Sequence, residues 1–170
     1  MSRTETRIGK LVGLFDKHKP KSLDDIHALG IKTRRIGCGV YRTAHKITGL
    51  PVVIKIPATD HQDCRRHSVA EDRAVRSIKR FKVYAPLKKY MPRIYYCDKS
   101  TGIMLVHFYK PIKGSHGHVL ASVINDLIHA IWPYATEGTG GVDMHSGNIG
   151  MDDAQPKLID LGYFSDYGKG

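Results

Sequence analysis

Apolar residues recur at helical spacing near the start of the chain. Ile8, Leu11, Val12 and Phe15 fall three or four positions apart between Arg7 and Asp16, which predicts a short amphipathic helix. The Lys17 to Lys21 stretch, with Pro20, ends it. Ser22 followed by Asp25 has the form of an N-cap with an acid three residues on, and predicts a second short helix to about Leu29. From Thr33 the period shortens. Arg34, Ile36, Gly37 and Gly39, then Tyr41 to Ile47 with Thr48-Gly49, then Val52 to Ile56, predict three strands joined by two tight glycine turns. Arg65 to Phe81 sets Val69, Ala74, Val75, Ile78 and Phe81 on one side and bases on the other, the pattern of an amphipathic helix. Arg93 to Cys97 and Ile103 to Phe108 predict two more strands around a turn at 98–102. Val119 to Trp132 predicts a largely apolar helix, and Ile149 to Met151 with Lys157 to Ile159 a short hairpin.

That order, with no internal repeat or low-complexity tract, predicts an α+β chain that folds as one unit. The length, 170 residues, fits one domain or two at most. Apolar residues make up 41% and no apolar run approaches the ~18 residues of a membrane span, so a transmembrane protein is not expected. Ser2 to Arg7 lacks the apolar core of a secretory signal, and the expected location is cytoplasmic. Cys38, Cys64 and Cys97 are an odd number at wide spacing, which predicts free thiols in a reducing compartment. Composition adds one strong bias: 27 Lys plus Arg against 16 Asp plus Glu, a formal net charge of +11. Such a surface can hold nucleic acid, an anionic membrane, an acidic partner protein or a polyphosphate ligand. The bases are spread along the chain, with local clusters at 17–21, 32–35, 65–82 and 88–89, so a merely solvated surface stays open as well.

Three features carry chemistry. Gly37-Cys38-Gly39 between two strands lets backbone approach a phosphate, because no Cβ blocks it and amide N–H groups can face anionic oxygens. A turn needing glycine explains it equally well, and since it leads into a strand it is no dinucleotide fingerprint. Lys55 interrupts the apolar strand Val52, Val53, Ile54 and Ile56, so it either faces solvent by alternation or is a buried charge that needs a carboxylate. Glu71, on or beside the apolar stripe of the following helix, is the one glutamate between Lys55 and Glu137. The alternative for Glu71 is a solvated helix charge. The third feature is sharper. Asp143-Met144-His145-Ser146-Gly147-Asn148 precedes a short hairpin, after which comes Asp160-Leu161-Gly162. Phosphoryl transfer needs a carboxylate to accept a proton from the attacking hydroxyl and hard oxygen ligands for Mg²⁺, and these residues supply both in order.

Taken together, Gly37-x-Gly39, Val53-Ile54-Lys55, Glu71, Asp143-x-His145-x-x-Asn148 and Asp160-Leu161-Gly162 resemble the protein-kinase-like superfamily over residues 33 to 164. The stretch 143–149 is especially similar to the catalytic loop of early serine/threonine kinases of podophages of enterobacteria; such a protein would work in the host cytoplasm. The Asp-x-His-x-x-Asn pattern is also that of aminoglycoside phosphotransferases. The resemblance implies a kinase-like fold, with 1–31 a helical extension and 32–170 a minimal domain. Within it, 32–110 would form a five-stranded N-lobe with one helix and 111–170 a much reduced C-lobe. It implies that Gly37, Gly39 and a strand at Val40 cover the ATP phosphates and adenine, and that Lys55 binds the α/β-phosphates and pairs with Glu71. Val106 would be the gatekeeper and His107 to Tyr109 the hinge at the adenine edge. Asp143 would be the catalytic base, His145 would stand near the γ-phosphate, and Asn148 and Asp160 would hold Mg²⁺.

Departures from the family pattern shape the expectation. Arg42 replaces the third loop glycine, which implies a stiffer lid or an extra phosphate ligand. Val142 stands where many protein kinases carry an Arg, which implies no control by activation-loop phosphorylation. The sequence ends at Gly170, so an activation segment and peptide platform of the usual kind are not expected. The function this implies is ATP-dependent, Mg²⁺-assisted phosphorylation of protein Ser or Thr hydroxyls, including the chain's own. A pseudokinase serving as a basic interaction module and a small-molecule phosphotransferase are the alternatives. An acidic protein substrate is the favoured partner, docked by the basic helix face of Arg65, Arg66, Arg73, Arg76 and Lys79; nucleic acid is less favoured. A homodimer is one way to complete the reduced lobe. The zinc-like spacings His61-x-x-Cys64-x-x-His67 and His116-x-His118 lack the paired cysteines of a closed site and are read as solvated histidines. Trp132, Tyr134, Tyr95 and Tyr96 are read as ordinary core and rim aromatics.

Overall fold

Ser2 and Ser22 start the first two helices through reciprocal capping boxes. In each, the serine Oγ accepts from the backbone N–H three residues on, and the acid there, Glu5 or Asp25, accepts from the serine's own N–H. The helices are α1 (Arg3–His18) and α2 (Leu23–Ala28), and α1 is longer at both ends than its apolar spacing predicts. Lys19, in the left-handed conformation at φ 43°, closes α1 by donating its N–H to the Phe15 carbonyl.

A computed structural model describes residues 2–59, 62–112, 115–131 and 146–160. After α2 come β1 (Thr33–Cys38), β2 (Arg42–Ile47), β3 (Val52–Pro57), α3 (Gln62–Arg80), β4 (Ile94–Cys97), β5 (Met104–His107), β6 (Lys110–Pro111), α4 (Ser115–Ile131), β7 (Ile149–Asp152) and β8 (Gln155–Leu158). The architecture is α+β. Two compact units divide it, one of residues 1–69 and 93–108 and the other of 70–92 and 109–170, and α3 contributes to both.

The first unit is built on a five-stranded antiparallel sheet of order β1-β2-β3-β5-β4. Its central strand β3 is buried at five consecutive positions, so the sheet is covered on both faces. Ile8, Leu11 and Phe15 of α1 and Ile26 of α2 share a core with Val52, Ile54, Ile56, Ile103 and Leu105 on one face. A smaller cluster of Val53, Met104 and Val106, with Ala44, Ile94, Cys97 and Phe108 against it, occupies the other. The first turns of α3 are pinned to this unit. A Cβ on Gly102, at φ +73°, would lie 2.8 Å from Arg65 Cα, and the Cys97 thiol donates to the Ser68 carbonyl at 3.8 Å. All three cysteines are free.

The second unit buries Ala74, Val75 and Ile78 of α3, Leu87 of the stretch after α3, Ala121 and Ile124 of α4, and Ile149 and Leu158 of a three-stranded sheet of order β6-β7-β8. Phe81 does not continue the α3 stripe; it lies past the helix and is half exposed. A 3-10 segment, Lys82–Tyr90, and strand β6 have no counterpart in the predicted elements. Pro86 lies inside that segment and has no N–H to donate to a regular helical ladder. Helix α4 begins at Ser115, four residues before its apolar pattern predicts, and leaves Val119 and Val123 exposed while Ala121 and Ile124 are buried.

Candidate functional site

The β1–β2 loop is held by its own backbone. Gly39 N–H donates to the Arg42 carbonyl and Ala58 N–H to the Tyr41 carbonyl, both at 2.8 Å. Neither Gly37 nor Gly39 is required by this geometry. A Cβ on Gly37 would meet Ala44 Cβ at 3.7 Å and one on Gly39 would meet the Arg42 carbonyl at 3.8 Å, ordinary contacts, and neither residue has a positive φ. The turn therefore does not explain the glycines. Val40 is not on a strand, as the kinase reading has it, but at the bend of the loop, where it is 84% exposed. The reason is the tight Gly39–Arg42 pairing, which delays β2 until Arg42. Arg42, which stands in place of the third loop glycine, is itself buried. Tyr41 stacks on His67 of α3, ring centroids 3.8 Å apart and planes 19° apart, so His67 is not simply solvated.

Lys55 is 6% exposed and Glu71 fully buried, which removes the solvated alternative at both positions. Alternation along β3 puts Lys55 on the face of Val53, and its register neighbours are Ala44 on β2 and Met104 on β5. Burying an ionised group costs several kcal/mol unless an opposite charge or hydrogen bonds compensate, so each of these side chains marks a polar environment inside its unit. Ala44 and Val53 flank Lys55 on an apolar face that the candidate residues omit. Alternation from Lys55 through Val53, with Ala44 opposite, is the sequence signal for them.

At the expected hinge, Val106 is buried. The His107 N–H donates to the Arg93 carbonyl at 2.8 Å and the Phe108 N–H to the Pro51 carbonyl at 2.9 Å. His107 Nδ1 lies 2.7 Å from the Tyr95 hydroxyl. Both amides and the imidazole are thus already committed within the fold. Tyr109 is buried in the second unit, where a Cβ on Gly150 would come within 2.6 Å of Tyr109 Cβ. Glycine at 150 is a steric requirement of that packing.

The hairpin of β7 and β8 brings two candidate metal ligands to one end. Asn148 closes a 3-10 turn, Ser146–Asn148, and its carbonyl accepts from Ile159 N–H at 2.8 Å, so Asn148 lies across from Ile159 and one residue from Asp160 at that end of the hairpin. An amide oxygen and a carboxylate are the hard donors that Mg²⁺ takes while keeping water or phosphate oxygens in its remaining positions. Asp143 and His145, together with Val142, Leu161, Gly162, Trp132 and Tyr134, lie outside the described residues. So does His61, and among the described residues no group of three His, Cys, Asp or Glu gathers as a metal site. The basic face of α3 is largely engaged: Arg66 pairs with Asp63 at 3.7 Å, Arg76 with Asp72 at 2.7 Å, Lys79 donates to the Pro92 carbonyl and Arg65 to that of Ser100.

No protein-family model and no curated protein matches this chain. Among the described residues no helix is long and apolar enough to cross a membrane.

Proposed function

We propose that the chain acts as an ATP-dependent protein kinase that transfers the γ-phosphoryl of ATP to protein Ser or Thr hydroxyls, its own among them. The observation that carries this reading is the Ile159 N–H bond to the Asn148 carbonyl, which leaves the backbones of Asn148 and Asp160 at the same end of the β7–β8 hairpin, five and seventeen residues after Asp143 in the sequence. Two loop glycines that the fold does not require, and a lysine and a glutamate that are both buried, support it. In this reading the Gly37–Gly39 backbone lies against the phosphates and Ala44, Val53 and Val106 offer an apolar surface to the base. Lys55 neutralises α/β-phosphate oxygens and Glu71 orients Lys55. Asn148 and Asp160 would hold Mg²⁺, which neutralises charge on the phosphate oxygens when bound. Asp143 would orient the acceptor hydroxyl and accept its proton, and His145 would face the transferring phosphoryl group. Catalysis is then mostly positioning and charge neutralisation.

Incubation of the purified chain with γ-labelled ATP, Mg²⁺ and a protein acceptor, followed by phosphosite mapping, tests this directly. Label is expected on Ser or Thr of the acceptor or of the chain itself. Asp143→Asn should abolish it while leaving the ATP-induced rise in melting temperature, and Lys55→Met should lose both. Nucleotide binding with no transfer to any protein would point to a pseudokinase. Full activity of Asp143→Asn would show that the catalytic loop is misassigned.

A further inference from the structure

An apolar groove framed by cations lies on the first unit, between α1 and the segments 30–32 and 47–50. Arg7 and Lys10 of α1 and Lys32 of the segment between α2 and β1 border it, and Leu14, Ile31 and Leu50 supply apolar surface; its volume is about 420 Å³. That is within the range of roughly 300–1,000 Å³ typical of ligand pockets. Among the described residues that line it, none is acidic. Arg7 is fixed in place, its Nη1 donating to the Gly49 carbonyl at 3.2 Å. Lys10 and Lys32 are exposed, and neither forms an ion pair among the described residues. Leu14 is 39% exposed, although the apolar residues on the core side of the same helix, Ile8, Leu11 and Phe15, are buried. The groove thus combines three cations without carboxylate neighbours in its lining and an aliphatic surface still in contact with water.

A partner that fits must bring negative charge to the rim and aliphatic side chains to the floor. Nucleic acid brings the charge, but its bases stack on aromatic rings, and the groove has none. An anionic membrane brings charge as well, but the helix face that would enter it is used up in the core, through Ile8, Leu11 and Phe15. We propose that this groove docks a short acidic peptide segment carrying aliphatic anchors. Charge complementarity speeds the encounter and fixes register, while burial of the anchors supplies affinity. This inference assigns an acidic partner a surface separate from the α3 face, and it does not depend on phosphotransfer.

The test is fluorescence anisotropy of the full chain, without nucleotide, with a labelled peptide of interspersed Glu and Leu. Binding at low salt is expected, weakening steeply as salt rises. The Lys10→Glu/Lys32→Glu double variant and Leu14→Glu should each lose at least tenfold in affinity with unchanged melting temperature. Leu14→Ala, which cannot disturb α1 by adding charge, should lose affinity in the same direction. A peptide of Glu without Leu should bind more weakly than the mixed one. Absence of binding at low salt, or equal affinity in the double variant and in both Leu14 variants, would overturn the proposal. So would tighter binding, through these same residues, of an oligothymidylate or of phosphatidylserine vesicles.

Discussion

His45 of β2 is buried on the face covered by α1 and α2, opposite Arg35 in the β1–β2 register. Burial, then the positive charges of Arg35 and His27, lower its pKa from the ordinary 6.5. Its Nε2 lies 3.1 Å from Thr43 Oγ1. Because the folded state resists protonation, the unfolded chain binds more protons once the pH drops below about 6.5, and stability should fall with it. His45→Gln is expected to flatten that part of the loss, seen as a smaller change in urea midpoint between pH 7.5 and pH 5.5 than in the parent chain. An identical pH slope in the two proteins would assign the dependence to other histidines. The Asp98 carboxyl is shifted downward as well, for a different reason. Burial pushes its carboxyl up, but bonds from Ser100 Oγ and N–H, Thr101 N–H and the Tyr96 hydroxyl outweigh this and hold it below the ordinary value. The stability it adds is present above the ordinary carboxylate range and is lost as the pH falls through its lowered value. The loop glycines give a third expectation. Gly37→Ala and Gly39→Ala meet only ordinary contacts, so they should leave the melting temperature within a degree or two and weaken ATP binding. A large loss of stability with unchanged ATP affinity would make them turn residues after all.

The loop and the helix that follow those glycines are tied together by one aromatic contact. Tyr41 from the β1–β2 loop stacks on His67 of α3, and such pairs contribute roughly 0.5–1.5 kcal/mol beyond burial. His67→Ala should therefore let the loop open more often. Hydrogen exchange of Ala58 N–H, which donates to the Tyr41 carbonyl, is expected to quicken roughly two- to tenfold, following from that energy. Exchange unchanged by the substitution would mean that the backbone bonds alone hold the loop. Nothing in the sequence points to this pair, because twenty-six positions separate Tyr41 from His67 and neither stands in a periodic pattern. By contrast, the two N-terminal helices, the cap of the second, the five strands of the main sheet and the β7–β8 hairpin were legible, while the Ser2–Glu5 cap of α1 was not. Their signals are local: Ser22 three residues before Asp25, glycines between apolar runs, and Lys55 alone in a strand buried on both faces. Lys82–Tyr90 was not legible, since a 3-10 segment around Pro86 carries no period of its own and is fixed by packing, including the Lys157 ammonium that donates to the Lys89 carbonyl at 2.7 Å. The candidate site divides in the same way. Residue types and spacing along the chain were readable, whereas the commitment of the His107 and Phe108 amides depends on the Arg93 and Pro51 carbonyls, remote in sequence.

Residues 1–31 have the pattern of an extension, complete in its own caps and periodicity before the first strand begins. In three dimensions α1 and α2 supply one wall of the first unit's main core: Ile8, Leu11, Phe15 and Ile26 are buried against strand residues that include Val52, Ile54 and Leu105. Burying one such side chain contributes roughly 1.5–3 kcal/mol, so the four together amount to roughly 6–12 kcal/mol. That is comparable to the whole stability of a typical domain, roughly 5–15 kcal/mol. Further attachments would go with them, among them the Tyr96 hydroxyl bond to the Phe15 carbonyl at 3.3 Å and the edge-to-face contact of the same two rings. A chain of residues 32–170 is therefore expected to lack a cooperative melt and to bind no ATP, because the sheet that holds Lys55 would expose its Ile54 face to water. Phe15→Ala is the milder version and should cost roughly 3–5 kcal/mol in urea unfolding of the full chain. The two measurements separate a core element from an appendage. A 32–170 chain that melts cooperatively near the parent temperature, or a Phe15→Ala variant with an unshifted urea midpoint, would show that the sheet holds Lys55 and its neighbours in place without the N-terminal helices.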